Sequence, residues 1–165
     1  MLKKLISLIL LATTLSVFTP IAAAQPAARP EVAEKVKAWY GTEGIKVWTL
    51  RYGPLSDKKA LVQITDVDHP WNKKIQLMDV ESKGERRKYS IMLEGKKYVV
   101  LVMERYSFGE VYLPGEPTAY AISYSEDLSS EGNAQHFLTD WLNQEEAREQ
   151  AQPQTEAPAQ PKTEA

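Results

Sequence analysis

The sequence predicts an α+β domain: an N-terminal helix, an antiparallel meander of six or seven strands forming an open sheet or a small barrel, a C-terminal helix and a disordered tail. Three observations predict it. Apolar residues recur with a period of two from Ile45 to Tyr124, and at helical spacing on either side of that stretch. Gly, Pro and Asp cluster between the alternating runs, where turns belong. Strands that follow one another, with helices segregated to the ends, make the α+β pattern rather than βαβ units.

Residues 1–24 read as a cleavable signal peptide. Lys3 and Lys4 precede the apolar run Leu5–Phe18, Pro20 breaks it, and Ala22-Ala23-Ala24 supplies small residues before Gln25. The run is shorter than the roughly 20 residues a spanning helix needs. Export is therefore expected, to the periplasm or the exterior, with no transmembrane segment after cleavage. Residues 25–30 form an Ala/Pro linker, 31–148 a single domain, and 149–165 a tail of Ala, Gln, Pro, Thr and Glu that lacks the apolar surface to offset its ordering.

Within the domain, Val32, Val36, Trp39 and Tyr40 recur at helical spacing, and Gly41 follows as a helix stop. Ile45–Tyr52 alternates and ends at Gly53-Pro54; Ala60–Thr65 alternates and ends at Asp66-Val67-Asp68-His69-Pro70; Lys74–Glu81 is a third strand. Arg86–Arg105 reads as a hairpin around Glu94-Gly95, with Leu93 facing Lys96, Ile91 facing Tyr98 and Tyr89 facing Val100. Phe108–Leu113 and Thr118–Tyr124 complete the meander. Asn133 opens the last helix as its N-cap, ahead of the stripe Ala134, Phe137, Leu138, Trp141 and Leu142.

Composition narrows the chemistry. There is no cysteine, which removes disulfides, thiolate metal sites, thiol nucleophiles and a lipid anchor at the cleavage site. Once Lys3 and Lys4 leave with the signal, 18 basic residues face 22 acidic ones, a balance opposite to the basic footprint of nucleic-acid binding. The charge is split along the chain: 15 basic and 11 acidic residues in 31–105, then eight acidic and no basic ones in 106–147. Nucleophile and phosphate-loop motifs are missing, and no cofactor is implied.

The candidate residues are few. Asp66, Asp68 and His69 form a metal-ligand set in composition, although Asp beside a Pro-containing turn is also ordinary turn chemistry. His136 and Asp140 are one helical turn apart, as a surface pair or an oriented imidazole. Glu81 with Glu85, or Glu104 with Glu110, are carboxylate pairs that would need a cleft. Trp71, in a polar turn, is a candidate binding hot spot or a lid on the core. Ala119, Ala121 and Ser123 make a small-residue strand face that another element or a ligand could approach closely.

These features point to an exported, non-catalytic accessory protein that binds another protein or an envelope component. The alternative is a carrier of a small apolar or amphipathic ligand, lodged under the helices or in a barrel mouth. A small hydrolase is a third reading.

Overall fold

A computed structural model describes residues 28–105 and 107–151. The expected signal peptide, the linker up to residue 27 and the tail from 152 onward lie outside the described residues. Eight strands follow in order: β1 Lys37–Gly41, β2 Lys46–Tyr52, β3 Lys59–Thr65, β4 Ile75–Lys83, β5 Arg86–Leu93, β6 Lys96–Glu104, β7 Phe108–Val111 and β8 Tyr120–Tyr124. Two helices come after them, α1 Glu126–Glu131 and α2 Ala134–Ala151.

Each strand pairs antiparallel with the next, and β8 pairs back onto β1, so the meander closes into a barrel. Closure pairs every strand on both sides and leaves no edge to template a foreign strand. Of the two arrangements open to the sequence, the barrel is the one adopted.

The N-terminal helix is not formed. Residues 31–33 run along the end of β2, ahead of a bend at 34–35: Val32 bridges Tyr52, Ala33 donates to the Arg51 carbonyl at 3.1 Å, and Gly53 donates to the Glu31 carbonyl at 2.7 Å. Lys37–Gly41 is a strand. The reason is tertiary. Only a strand here can bridge β2 and β8, and a segment rich in Val, Trp and Tyr suits that role. The helical spacing is a coincidence of two destinations: Val36 packs under α2, whereas Trp39 enters the barrel. Gly41 is not a helix stop either; it is extended, and a Cβ there would lie 2.6 Å from the Ala121 carbonyl oxygen.

The β5–β6 hairpin keeps the expected pairs Leu93–Lys96 and Ile91–Tyr98. Tyr89, however, faces Leu101 rather than Val100, because a bulge shifts the register between Tyr89 and Ser90. The last helix starts as the cap predicts, with Asn133 Oδ1 accepting from the backbone N–H groups of Gln135 and His136 at 3.0 Å each. It continues to Ala151, three residues past the expected end of the domain. The short α1 is an addition to the expected elements; Ser125 Oγ caps it by accepting from Leu128 N–H at 3.3 Å.

Two apolar layers hold the molecule. The barrel interior packs Trp39, Val47, Val62, Ile64, Met78, Leu101, Met103, Val111 and Ile122. The outer layer lies between the sheet and α2, where Leu50, Leu61 and Ile75 meet Val36, Phe137, Leu138 and Trp141. Each such side chain contributes about 1.5–3 kcal/mol on burial. Gln144 pins the helix to β4 by accepting from Ile75 N–H at 2.9 Å and donating to its carbonyl at 2.7 Å. This double use explains why β2 and β3 are apolar on both faces.

Candidate ligand site: an open barrel mouth

The two ends of the barrel differ. At one end the long β3–β4 loop, residues 66–74, folds across the opening and packs Val67 and Trp71 against the interior cluster. His69 ties this stopper down: its Nδ1 accepts from Trp71 N–H at 3.1 Å, and its Nε2 lies 3.0 Å from the Pro114 carbonyl oxygen in the β7–β8 loop. The His69 and Trp71 rings meet edge to face, with centroids 5.9 Å apart.

The other end stays open. Here β2 runs out into Gly53–Lys58, β4 turns into β5 at Gly84-Glu85, and the extended segment before β1 passes by. A cavity of about 410 Å³ opens at this end, within the size range of small-ligand pockets. Cross-strand register explains its walls, because paired residues share a face. Lys37 pairs with Thr49, Arg51 with Ala60, Val80 with Tyr89 and Ser82 with Arg87, all on the inward side. Thr49, Ala60 and Tyr89 are buried and make the floor. Above them sit Lys37, Arg51, Val80 and Arg87, and the lip is formed by Ala33, Lys35, Pro54, Leu55, Lys58, Lys59 and Ser82.

The lining contains six cationic side chains and no acidic one. Glu31 reaches Arg51 at 3.0 Å and Asp79 reaches Lys59 at 2.5 Å, but both acids stand outside the lining. Arg51 also donates to the Gly53 carbonyl, which fixes it across the mouth. Leu55 is 82% exposed on the lip, an apolar side chain held out over the opening.

The ion pairs Lys46–Asp66, Arg86–Glu104, Lys97–Glu81 and Arg105–Glu85 all join residues of 31–105, and Arg148–Glu145 stays within α2. Compared with known proteins, the chain matches no family model, and no curated protein or solved structure is significantly similar to it. The site is defined by its own geometry.

The residues singled out in the sequence lie elsewhere. Trp71 is half-buried in the stopper, at the closed end. Asp66 and Asp68 are exposed, and Asp66 pairs with Lys46 at 2.8 Å, which holds the Lys46 ammonium above its ordinary pKa through the hydrogen bond and the charge. With His69 committed to Trp71 and Pro114, these three are not gathered, and among the described residues no three His, Asp or Glu side chains are placed to share a metal ion. Ala121 and Ser123 face outward and are exposed; Ala119 precedes β8 and is half-buried. None of them lines the mouth. His136 and Asp140 are exposed on α2. Of the carboxylates, Glu81 is held by Lys97 and Glu104 by Arg86, while Glu110 accepts from the Tyr112 hydroxyl.

The mouth residues escape a reading of the sequence, although a signal exists. Thr49 and Arg51 continue the inward parity of Val47, and Arg87 that of Tyr89. Polar and cationic groups at core-facing positions mark where a barrel stops being filled. That parity has meaning only once closure is known.

Proposed function

We propose that this protein is a non-catalytic binding protein that carries a small ligand in its barrel mouth. One observation carries the reading: the barrel is stoppered by the 66–74 loop at one end and hollow at the other, over a floor of Thr49, Ala60 and Tyr89. A barrel built only for stability has no use for such a hollow, since unfilled interior forfeits packing. A carrier role is also in keeping with export after cleavage at residue 24.

The test is a native mass spectrum of the protein isolated from the cells that make it, alongside Ser82→Trp. Ser82 is exposed on the lip, so an indole there fills the opening without disturbing the core. The expected result is an added mass of roughly a few hundred daltons that is present on the wild type and missing from the variant. A bare wild-type protein overturns the reading.

A second reading, docking of a partner protein or envelope component, is favoured by the outer face of β7, β8 and β1. Phe108 and Tyr40, 63% and 51% exposed, both pair with Ser123, so two rings flank one small residue. Glu104 and Glu110 border this row, which suits a partner presenting basic residues. Phe108→Ser with Tyr40→Ser should abolish capture of such a partner while leaving the carried mass unchanged; capture that survives both changes overturns the second reading.

A further inference from the structure

We infer that the outer face of β7, β8 and β1 seats an arginine of a partner polypeptide, its guanidinium against the Phe108 and Tyr40 rings and hydrogen-bonded to Glu110. The inference rests on the docking reading and adds the chemical group that is recognised. Of the six large hydrophobic side chains most exposed among the described residues, Tyr40, Phe108, Tyr112 and Tyr124 lie on or beside these three strands. Such clustering, unlike singly scattered exposed rings, marks an interaction surface. Register places the two rings. Phe108 and Tyr40 are both cross-strand partners of Ser123, one on each side, so their backbones stand roughly 9–10 Å apart with only a serine between them. A groove of about 370 Å³ lies on the same face, with Glu104, Phe108, Glu110, Ala121 and Ser123 in its lining.

Charge selects the occupant. Residues 106–147, which contain β7, β8 and α1, hold no Lys or Arg. The cations on the flanking strands have acids of their own: Arg86 reaches Glu104 at 2.8 Å, Lys46 reaches Asp66 at 2.8 Å, and Lys88 pairs across the strands with Glu81. Glu110 differs. Its Oε2 accepts from the Tyr112 hydroxyl at 2.5 Å, and among the described residues no cation pairs with it. Phe108 and Glu110 point to the same side of β7, about 6.6–6.8 Å apart at the backbone. An arginine fits both, because its plane stacks on an aromatic face while its fork of N–H groups meets the carboxylate. A lysine brings a point charge without plane or fork. The face is open, which suits a side chain delivered by a polypeptide better than a free cation, since small-ligand sites bury most of their ligand. Closure of the barrel leaves no free strand edge here, so the partner is recognised through side chains and not by adding a strand.

The probe is a labelled, end-capped decapeptide of alternating Arg and Ser, with twins that carry Lys or uncharged citrulline in place of Arg. Fluorescence anisotropy against the full mature chain gives the three affinities. The arginine peptide should bind at least about tenfold tighter than the citrulline twin and severalfold tighter than the lysine twin. Its affinity should fall as ionic strength rises. Glu110→Gln should weaken the arginine peptide by about fivefold or more. Phe108→Leu with Tyr40→Leu keeps the charge and the apolar bulk, removes both ring faces, and should erase the advantage of Arg over Lys. All three positions are exposed, so the melting midpoint should stay near that of the wild type. Asp140→Asn removes an exposed acid from α2, which packs over β2, β3 and β4, and should change nothing. A loss there equal to that of Glu110→Gln would reduce the binding to diffuse attraction by an acidic chain, and overturns the inference. So does equal binding of the arginine and citrulline peptides, equal binding of the arginine and lysine peptides, or an arginine preference that survives the loss of both rings. Each of these outcomes leaves the docking reading standing, because that reading is decided by capture of the partner itself.

Discussion

His69 Nε2 sits 3.0 Å from the carbonyl oxygen of Pro114, joining the β3–β4 loop to the β7–β8 loop across the closed end of the barrel. The partner bond fixes the tautomer. Because Trp71 N–H donates to Nδ1 at 3.1 Å, the ring proton is on Nε2, which donates to Pro114. One imidazole thus satisfies a backbone donor and a backbone acceptor more than forty residues apart in the chain. His69→Ala removes both bonds and should lower the unfolding free energy by about 1–3 kcal/mol, read from urea midpoints at unchanged slope. Long-range ¹H–¹⁵N spectra of the neutral ring should show the proton on Nε2.

Trp71 belongs to the same stopper. Its ring packs on the interior cluster and against His69, so truncation should act on stability. Trp71→Ala should cost about 2–4 kcal/mol, slightly below the value for a fully buried Trp because the ring is only half-buried. An unchanged midpoint would mean that the loop holds without it, and would return Trp71 to the role of an exposed binding residue.

Gly109 is set by close approach rather than by backbone conformation. A Cβ there would lie 2.5 Å from Met103 Sδ and 2.6 Å from the Val102 carbonyl oxygen. The sulfur end of Met103 can shift, but the carbonyl belongs to the β6 backbone. Gly109→Ala should therefore destabilise by about 1–3 kcal/mol, the range of overpacking changes. Gly95→Ala should also destabilise, for a different reason: its φ is +76° and nothing lies within 4 Å of its Cβ, so the strain is conformational.

The Glu81–Lys97 pair gives a pH signature with a defined sign. A hydrogen bond from Lys97, reinforced by its charge, holds the Glu81 carboxyl below its ordinary value of 4.5. A carboxyl depressed in the folded state contributes stability above its unfolded pKa and loses it as pH falls through the folded one. Glu81→Gln should thus flatten the acid limb of the stability curve below about pH 4.5. Both groups are about half-exposed, so the effect should be small and should vanish at high salt.

Asn133 tests the capping argument. Asn133→Ala leaves the N–H groups of Gln135 and His136 without their acceptor and should cost about 0.5–2 kcal/mol. Asn133→Ser should recover most of it.

Much of the architecture is legible from local pattern alone. Period-two alternation locates seven of the strands, and Glu94-Gly95 sets the hairpin loop. The stripe Ala134, Phe137, Leu138 and Trp141 marks the face that α2 buries. These are short-range signals, in which each residue's environment follows from its own position in a strand or helix. Tyr89 shows where such counting fails, because a single bulge moves every pair beyond it by one.

The sequence by itself determined the alternation of the strands, the amphipathic last helix, the turns and the absence of thiol chemistry. Tertiary structure alone decided that residues 37–41 are a strand, that the meander closes, and that Lys37, Arg51 and Arg87 share one concavity. The physical reason is the range of the forces involved. Side-chain period is a property of neighbours in the chain, whereas closure depends on hydrogen bonds between the first and last strands, over eighty residues apart. The direction in which a cation points then acquires its meaning from that closure: the same parity that would face solvent on one side of an open sheet faces the inside of a barrel.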